Sequence, residues 1–283
     1  MKGGKRTRSF IRTTFIHLVL IILSLFCLFF FFILLINATK SQTELMRDFS
    51  PVPGSHALEN LNKVLNDGNI PVLYGVLNSI IVAGASAFLS VYISLLAAYG
   101  LFTYRFRFRT AFFDIIMMFL VMPTQVCTVG FLRNITSLGL NNNLLALILP
   151  SMASPTVIFF FYCYLKSVLP RSYIDAARVD GAGEIRIFNR IVGPMMRPAI
   201  AVQAIFSFVA SWNNYFLAAL VMQSKRRMTL PVMIAMMRNA DFVNMDMGKV
   251  YMMLCVAVFP VIIVYLLLSR QILDDAMQRM NWN

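Results

Sequence analysis

Charged residues are scarce in this sequence. Only 13% of its 283 residues are Asp, Glu, Lys or Arg, whereas 59% are hydrophobic. A soluble domain of average composition has about 25% charged and about 45–50% apolar residues. So little charge does not cover the surface of a water-soluble fold of this length. The composition therefore indicates an integral membrane protein whose main contact is the lipid bilayer.

Motifs for catalysis and metal binding are also lacking. The sequence has no GxxxxGK[ST] phosphate-binding loop, so the chain is not expected to hydrolyse ATP by itself. Its two histidines, His17 and His56, do not stand in an HExxH motif, and its four cysteines form no CxxC pair. We therefore predict no catalytic residue, no metal site and no cofactor in this chain.

Asp, Glu, Lys and Arg are absent from the centres of the long apolar stretches. Proton-coupled carriers usually place such residues at mid-membrane depth, so proton coupling is disfavoured. A sodium site built from carbonyl and hydroxyl oxygens stays possible. If the chain takes part in transport, its energy is expected to come from a partner protein.

The apolar stretches predict an all-α membrane protein with six transmembrane helices. A membrane-spanning helix needs about 20 mostly apolar residues. The stretches that meet this requirement are 13–36, 73–102, 112–131, 143–165, 198–222 and 250–269. The apolar core of a secretory signal peptide has about 7–15 residues, so the longer first stretch is interpreted as a retained anchor.

The distribution of Lys and Arg predicts the orientation of the chain. The densest basic clusters lie at the N-terminus and in the inner loops, which places both termini in the cytoplasm. The cluster SKRRM at 224–228 is an exception, because it lies on the predicted outer side. Nucleic-acid binding is disfavoured, since the basic residues are divided among short loops on two sides.

Small residues form a stripe along the second apolar stretch. They recur every four residues, at Ser86, Ser90, Ser94 and Ala98. Such a helix face allows another helix to come close. The sequence leaves open whether that helix belongs to this chain or to another subunit.

Polar residues interrupt two further stretches and are candidates for a substrate path. Pro123 breaks the backbone ladder of the third stretch, and Thr124 and Gln125 follow it. The fifth stretch contains the cluster Trp212, Asn213, Asn214 and Tyr215. An aromatic ring beside amide groups suits a sugar, which has apolar faces and a rim of hydroxyls. Interfacial anchoring and helix–helix hydrogen bonding are the alternative roles.

A polar insert between the fourth and fifth stretches predicts a helix, a glycine turn and a second helix. Pro170 suits the first turn of the first helix, and Gly181 permits a sharp turn. Asp180 is placed to cap the second helix, which the prolines at 194 and 198 end. The apolar face of the second helix is predicted to consist of Ile185, Phe188, Ile191 and Val192.

This insert resembles the EAA segment of permease subunits of bacterial ABC importers, of the carbohydrate-uptake type related to maltose permeases. The family pattern is EAAxxDGAxxxxxFxxIxLPxxxP, and residues 175–198 read DAARVDGAGEIRIFNRIVGPMMRP. Asp175 stands where the family has Glu, and Gly193 where it has Leu. The positions to which the resemblance assigns coupling to an ATPase are Asp175, Ala176, Ala177, Asp180, Gly181, Ala182, Phe188 and Pro194.

Other segments extend the resemblance over nearly the whole chain. NSIIVAG, SWNNYF and MTLPVMIAMM are similar to family segments, whereas the tail SRQILDDAMQRMNWN lacks the family's glycine-rich end. The resemblance implies one permease domain over 1–283 with a type I ABC importer fold, in the bacterial cytoplasmic membrane. It places a coupling loop at about 167–197 and outer loops at about 37–72 and 224–249.

The resemblance also implies partners. These are a second homologous permease in a heterodimer, two cytoplasmic ABC ATPase subunits that bind ATP and Mg, and an extracytoplasmic solute-binding protein. Lys225, Arg226 and Arg227 either contact that binding protein or belong to a solvated loop. The expected cargo is a di- or oligosaccharide. The alternatives are a monosaccharide, polyol or glycerol phosphate, or a membrane partner protein that transports nothing.

Overall fold

The computed structural model describes residues 3–47, 49–123, 127–238 and 245–280, with side chains over 12–47, 49–123, 127–237 and 245–269. Helices and connecting segments make up this part of the chain, which contains no strand. The α-helices are α1 (Gly3–Ala38), α2 (Gln42–Arg47), α3 (Ala57–Leu65), α4 (Val72–Thr103), α5 (Arg109–Val121), α6 (Thr128–Ser137), α7 (Leu145–Ile148), α8 (Pro155–Val168), α9 (Arg171–Val179), α10 (Glu184–Ile187), α11 (Gly193–Met195), α12 (Arg197–Trp212), α13 (Tyr215–Val221), α14 (Leu230–Arg238) and α15 (Met247–Met280). Short 3-10 helices span Leu149–Met152 and Lys225–Arg227, and a π-helical turn spans Phe188–Val192.

Four helical segments in the described residues are long and apolar enough to cross a bilayer. They are Arg12–Ala38, Val72–Thr103, Leu145–Val168 and Met247–Ser269, and they match the first, second, fourth and sixth predicted stretches. A fifth candidate is the pair Glu184–Met195 and Arg197–Trp212, which is bent by 83°. The count of six spans therefore stays a prediction.

The third and fifth predicted stretches are interrupted. In the third, α5 ends at Val121 and α6 begins at Thr128, on either side of Pro123, whose ring cannot continue a helical ladder. In the fifth, α12 ends at Trp212 and α13 begins at Tyr215. A helix break inside a segment predicted to lie in the membrane leaves backbone groups that need protein partners. In the fifth stretch the N–H groups of Asn214 and Tyr215 donate to the oxygens of Ser211 (3.2 Å) and Asn213 (2.8 Å).

The chain divides into two compact units, and the first consists of residues 1–68 and 237–258. Its centre is Asn60, a buried residue of α3. The Asn60 side chain donates hydrogen bonds to the backbone oxygens of Ala38 (2.9 Å), the last residue of α1, and Lys40 (2.8 Å). An ion pair joins Lys63 to Asp246 (3.1 Å), the residue before α15. These contacts connect α3 to the end of α1 and to the start of α15.

The second unit consists of residues 69–236 and 259–283. Its central element is α4, which packs against α8 and α12. One apolar core near the C-terminal half of α4 includes Leu95, Phe161 and Phe188, and another near its N-terminal half includes Val82 and Leu147. The small-residue stripe of α4 is buried inside this unit, which favours close approach of helices of this chain over contact with another subunit.

Candidate functional site

Residues 170–197 form the predicted helix, turn and second helix. Pro170 precedes α9 as its N-cap residue, and the helix ends at Val179. Gly181 has a backbone φ of +76°, a left-handed conformation that glycine adopts at little cost. The predicted capping role of Asp180 is wrong. Asp180 is instead the C-cap residue of α9, and its N–H donates to the oxygen of Ala176 (3.0 Å). The N-cap residue of α10 is Gly183.

The buried face of the second helix does not consist of the same residues as the predicted one. Ile187, Phe188 and Val192 are buried, whereas Ile185 is 79% exposed, so the assignment of Ile185 to the apolar face is wrong. Ile187 takes the buried place instead, beside Phe188. After Ile187 the helix continues through a π-helical turn at Phe188–Val192, which a regular 3.6-residue period does not anticipate.

The residues assigned to ATPase coupling divide between two faces. Ala177 and Phe188 are buried in the core of the second unit, and Ala182 is half-buried. The exposed members are Asp175, Ala176, Asp180, Gly181 and Pro194. The helix α9 therefore rests on the chain along one side, through Ile174 and Ala177, and leaves the opposite side open to another molecule.

A polar cluster ties the turn after α9 to the end of α4. Glu184 accepts hydrogen bonds from Arg178 Nε (2.8 Å) and from the hydroxyl of Tyr99 (3.0 Å). The Arg178 guanidinium lowers the pKa of the Glu184 carboxyl. Arg171 donates to the backbone oxygen of Phe102 (3.1 Å), also at the end of α4. The sequence interpretation missed Glu184 because it lies at an unspecified position of the motif and its partner Tyr99 is 85 residues away in the sequence.

The predicted substrate-path residues are not brought together as one surface. Trp212 is 3% exposed, and its ring stacks on Phe208 with centroids 5.7 Å apart. The Asn214 side-chain oxygen accepts from the N–H of Leu217 (3.2 Å) and caps α13. Asn213 and Tyr215 are exposed. Thr124 and Gln125 lie outside the described residues.

A cavity of about 400 Å³ lies in the second unit, against α4. Hydroxyl and amide side chains on its wall are Ser86, Ser90, Ser151, Ser154, Thr156, Ser207, Ser211 and Asn214. The remaining lining is apolar, with Phe119, Leu147 and Leu217 among its members. Of the predicted path residues, Asn214 lines this cavity. The serine stripe on α4 was the sequence signal for this cavity, but we interpreted the stripe only as a surface for packing of another helix.

The basic cluster at 225–227 is a short exposed 3-10 helix. It is anchored to its surroundings by its backbone and by one guanidinium. Asn78 of α4 donates to the oxygen of Arg226 (2.9 Å), and Arg227 Nη1 donates to the oxygen of Asn142 (2.6 Å). The cluster therefore presents positive charge from a fixed backbone.

The chain has relatives among transport proteins. A family model described as "Binding-protein-dependent transport system inner membrane component" matches residues 90–279. The arabinooligosaccharides transport system permease protein of Bacillus subtilis (strain 168) is 31% identical over 259 residues, covering 89% of this chain and 90% of that protein. The sn-glycerol-3-phosphate transport system permease protein of Rhizobium meliloti is 30% identical over 263 residues, covering 90% and 92%.

A third relative is the diacetylchitobiose uptake system permease protein of Streptomyces coelicolor, 28% identical over 264 residues, with 93% and 86% covered. The fold is similar to a chain of a bacterial ABC transporter involved in the import of the acidic polysaccharide alginate. That similarity has a TM-score of 0.78 at 21% identity and covers 95% of this chain and 98% of the other. The fold is also similar to a chain of the MetNI methionine ABC transporter, with a TM-score of 0.51 at 16% identity. That similarity covers 71% of this chain and 94% of the other.

Proposed function

This chain belongs to the family of binding-protein-dependent transport system inner membrane components, and from that premise we propose that it is the permease subunit of an ATP-driven ABC importer for a sugar. It resides in the bacterial cytoplasmic membrane as a multi-pass protein and forms half of the translocation path. ATP and Mg are bound by separate ATPase subunits, because this chain has no phosphate-binding loop.

One observation carries the proposal: the helix α9 and its glycine turn carry the DAARVDGA segment, with one side packed and the other exposed. A helix held in this way transmits motion as a rigid body. Closure of the ATPases on bound ATP moves α9, and the Glu184 cluster passes the movement to the end of α4. The membrane helices then alternate between openings on the two sides.

The partners follow from the same mechanism. Two cytoplasmic ATPases need two docking helices, so a second homologous permease completes the path, and a solute-binding protein delivers the cargo outside. Lys225, Arg226 and Arg227 are suited to contact that protein, because they are exposed on an anchored backbone. The topology consistent with this arrangement has six spans, two of them broken, and both termini in the cytoplasm.

The cargo in this proposal is a di- or oligosaccharide. Two of the relatives named above are permeases for arabinooligosaccharides and diacetylchitobiose. A third is a permease for sn-glycerol 3-phosphate, which keeps a small phosphorylated cargo as the second candidate. The two cargo classes differ in charge, and that difference bears on the cavity beside α4.

The test is purification of the tagged chain from its native membranes in mild detergent, with mass spectrometry of the co-purifying proteins. We expect an ABC ATPase, a second permease and a solute-binding protein. Asp175→Lys reverses an exposed charge on α9 and is expected to remove the ATPase while retaining the second permease. Arg47→Glu, a charge reversal on the exposed surface of α2, serves as the control. Recovery of the wild-type chain without an ATPase would count against the proposal.

A further inference from the structure

The cavity beside α4 has the make-up of a small-molecule site. Its volume of about 400 Å³ falls in the range of about 300–1,000 Å³ that is usual for ligand pockets. Hydroxyl groups from three parts of the chain meet on its wall, from α4 (Ser86, Ser90), from the segment before α8 (Ser151) and from α12 (Ser207). Apolar side chains make up the rest of the lining, as in most small-molecule pockets.

Ser86 lies at this wall and has a buried, unpaired hydroxyl. The residue is 1% exposed, and its Oγ has no hydrogen-bond partner within the described part of the chain. Serines inside helices commonly donate to the carbonyl of an earlier turn, but Ser86 forms no such bond. A buried hydroxyl left unpaired is costly, and a hydroxylated molecule in the cavity that reached it would offset that cost.

The neighbouring polar groups are held in fixed positions. Ser151 Oγ donates to the oxygen of Ile148 (2.6 Å) and lies 3.3 Å from the backbone oxygen of Ser86. Asn214 uses its side-chain oxygen to cap α13, so its amide nitrogen is the group it can offer to a ligand. Such positioning lets hydroxyls and amides accept and donate without rearrangement.

Charged side chains are missing from the lining, as far as the described residues show. Burying a phosphate or carboxylate without an opposing charge costs far more than burying a hydroxyl that finds a partner. A sugar fits the lining better, because its hydroxyls pair with serines while the apolar faces of its rings contact Phe119 and Leu147.

We propose that this cavity is a contact site for an uncharged, polyhydroxylated solute, and that Ser86 is one of its binding residues. The proposal rests on the import function proposed above and deepens it. It assigns the chain its own contacts with the cargo, through serines outside the motif segments. It also selects a neutral sugar over glycerol phosphate.

The experiment measures uptake in the native host, with each variant replacing the wild-type chain and a deletion strain as background. The radiolabelled probes are L-arabinose, arabinotriose, maltotriose, diacetylchitobiose and sn-glycerol 3-phosphate. Ser86→Ala removes the hydroxyl without adding volume, and Ser86→Val also fills part of the cavity. Ser94→Ala is the matched control. Ser94 is likewise buried on α4 with an unpaired Oγ, but it lies two turns away and does not line the cavity.

We expect chain-dependent uptake of at least one neutral sugar. Ser86→Ala should lower its maximal rate about fivefold, as expected for one lost hydrogen bond, and Ser86→Val should lower it further. Ser94→Ala should stay within about twofold of wild type. Wild-type uptake by both Ser86 variants overturns the site and leaves the import function intact. Chain-dependent uptake confined to sn-glycerol 3-phosphate overturns the uncharged cargo. Absence of chain-dependent uptake of every probe counts against both the site and the proposed sugar cargo, while the co-purification described above decides the importer assignment separately.

Discussion

At the scale of single residues, Gly181 and Gly183 offer a matched pair within three positions. Gly181 has φ +76°, whereas Gly183 has φ −70°, and a Cβ added at either position meets no atom within 4 Å. The two sites thus differ in backbone conformation and not in available space. Since a left-handed backbone costs an L-residue about 1–2 kcal/mol, strain is confined to Gly181.

We predict that Gly181→Ala distorts the turn and lowers sugar uptake about fivefold at normal expression, while Gly183→Ala transports at the wild-type rate. Gly181→Glu should abolish uptake and leave the chain in the membrane, because it adds bulk and charge beside the open side of α9. Uptake assays with immunoblots of the membrane fraction measure both quantities. Full uptake by Gly181→Glu would refute the coupling role of this turn.

Single residues also show what the sequence was able to predict in the candidate site. Gly181 was predicted correctly, because a positive φ follows from local chemistry. Trp212 was assigned to the substrate path for its chemistry, but it is buried against Phe208. Ser86 was assigned to packing, although its hydroxyl is unpaired at a cavity wall. Which side chains meet a cavity depends on how helices distant in sequence pack, and residue type alone does not carry that information.

At the scale of helices, the charged carboxylate of Glu184 connects α9 and α10 to α4 by hydrogen bonds. The Glu184 carboxylate accepts from Arg178 and Tyr99, and the same hydrogen bond from Arg178 lowers the pKa of Glu184. Because the pKa is lowered, the stabilisation that the ionised Glu184 carboxylate provides is present at neutral pH. It is lost when the pH falls through the lowered pKa. The connection is therefore intact at neutral pH.

We predict that Glu184→Gln weakens this connection, because a neutral amide binds the guanidinium of Arg178 less strongly than a carboxylate does. In the purified complex in proteoliposomes, ATP hydrolysis should persist while the sugar imported per ATP falls about threefold. Arg186→Gln changes an exposed charge on the same helix and should leave this ratio unchanged. Equal losses of ATPase and uptake in Glu184→Gln would indicate a fold defect instead of a positioning role.

The helices show which parts of the fold a sequence specifies. Long apolar runs correctly predicted four long helices, because twenty apolar residues have few other stable arrangements in a bilayer. The helix and glycine turn of 171–181 were also predicted from local signals. The break between α12 and α13 was missed, since Asn214 acts as an N-cap within a run that is otherwise apolar. The π-helical turn at Phe188–Val192 was missed because the sequence was interpreted with a regular 3.6-residue period, which such a turn interrupts.

At the scale of the whole molecule, orientation in the membrane is the property on which every proposed contact depends. In the proposed mechanism the ATPases meet α9 on the cytoplasmic side, and the binding protein meets the outer loops. The basic clusters predict this orientation, although Lys225, Arg226 and Arg227 are placed on the outer side. Two exposed positions in different loops report the orientation directly, namely Leu58 in α3 and Arg107 between α4 and α5.

We predict that Leu58→Cys is outside and Arg107→Cys is inside. Each is introduced into a chain whose native cysteines, Cys27, Cys127, Cys163 and Cys255, are replaced by alanine. A membrane-impermeant maleimide added to intact cells should label Leu58→Cys and spare Arg107→Cys, and permeabilised cells should show labelling of both. The cysteine-free chain is the background control. Labelling of Arg107→Cys in intact cells would place α9 on the outer surface, out of reach of any cytoplasmic ATPase, and the coupling mechanism would then fail together with the orientation.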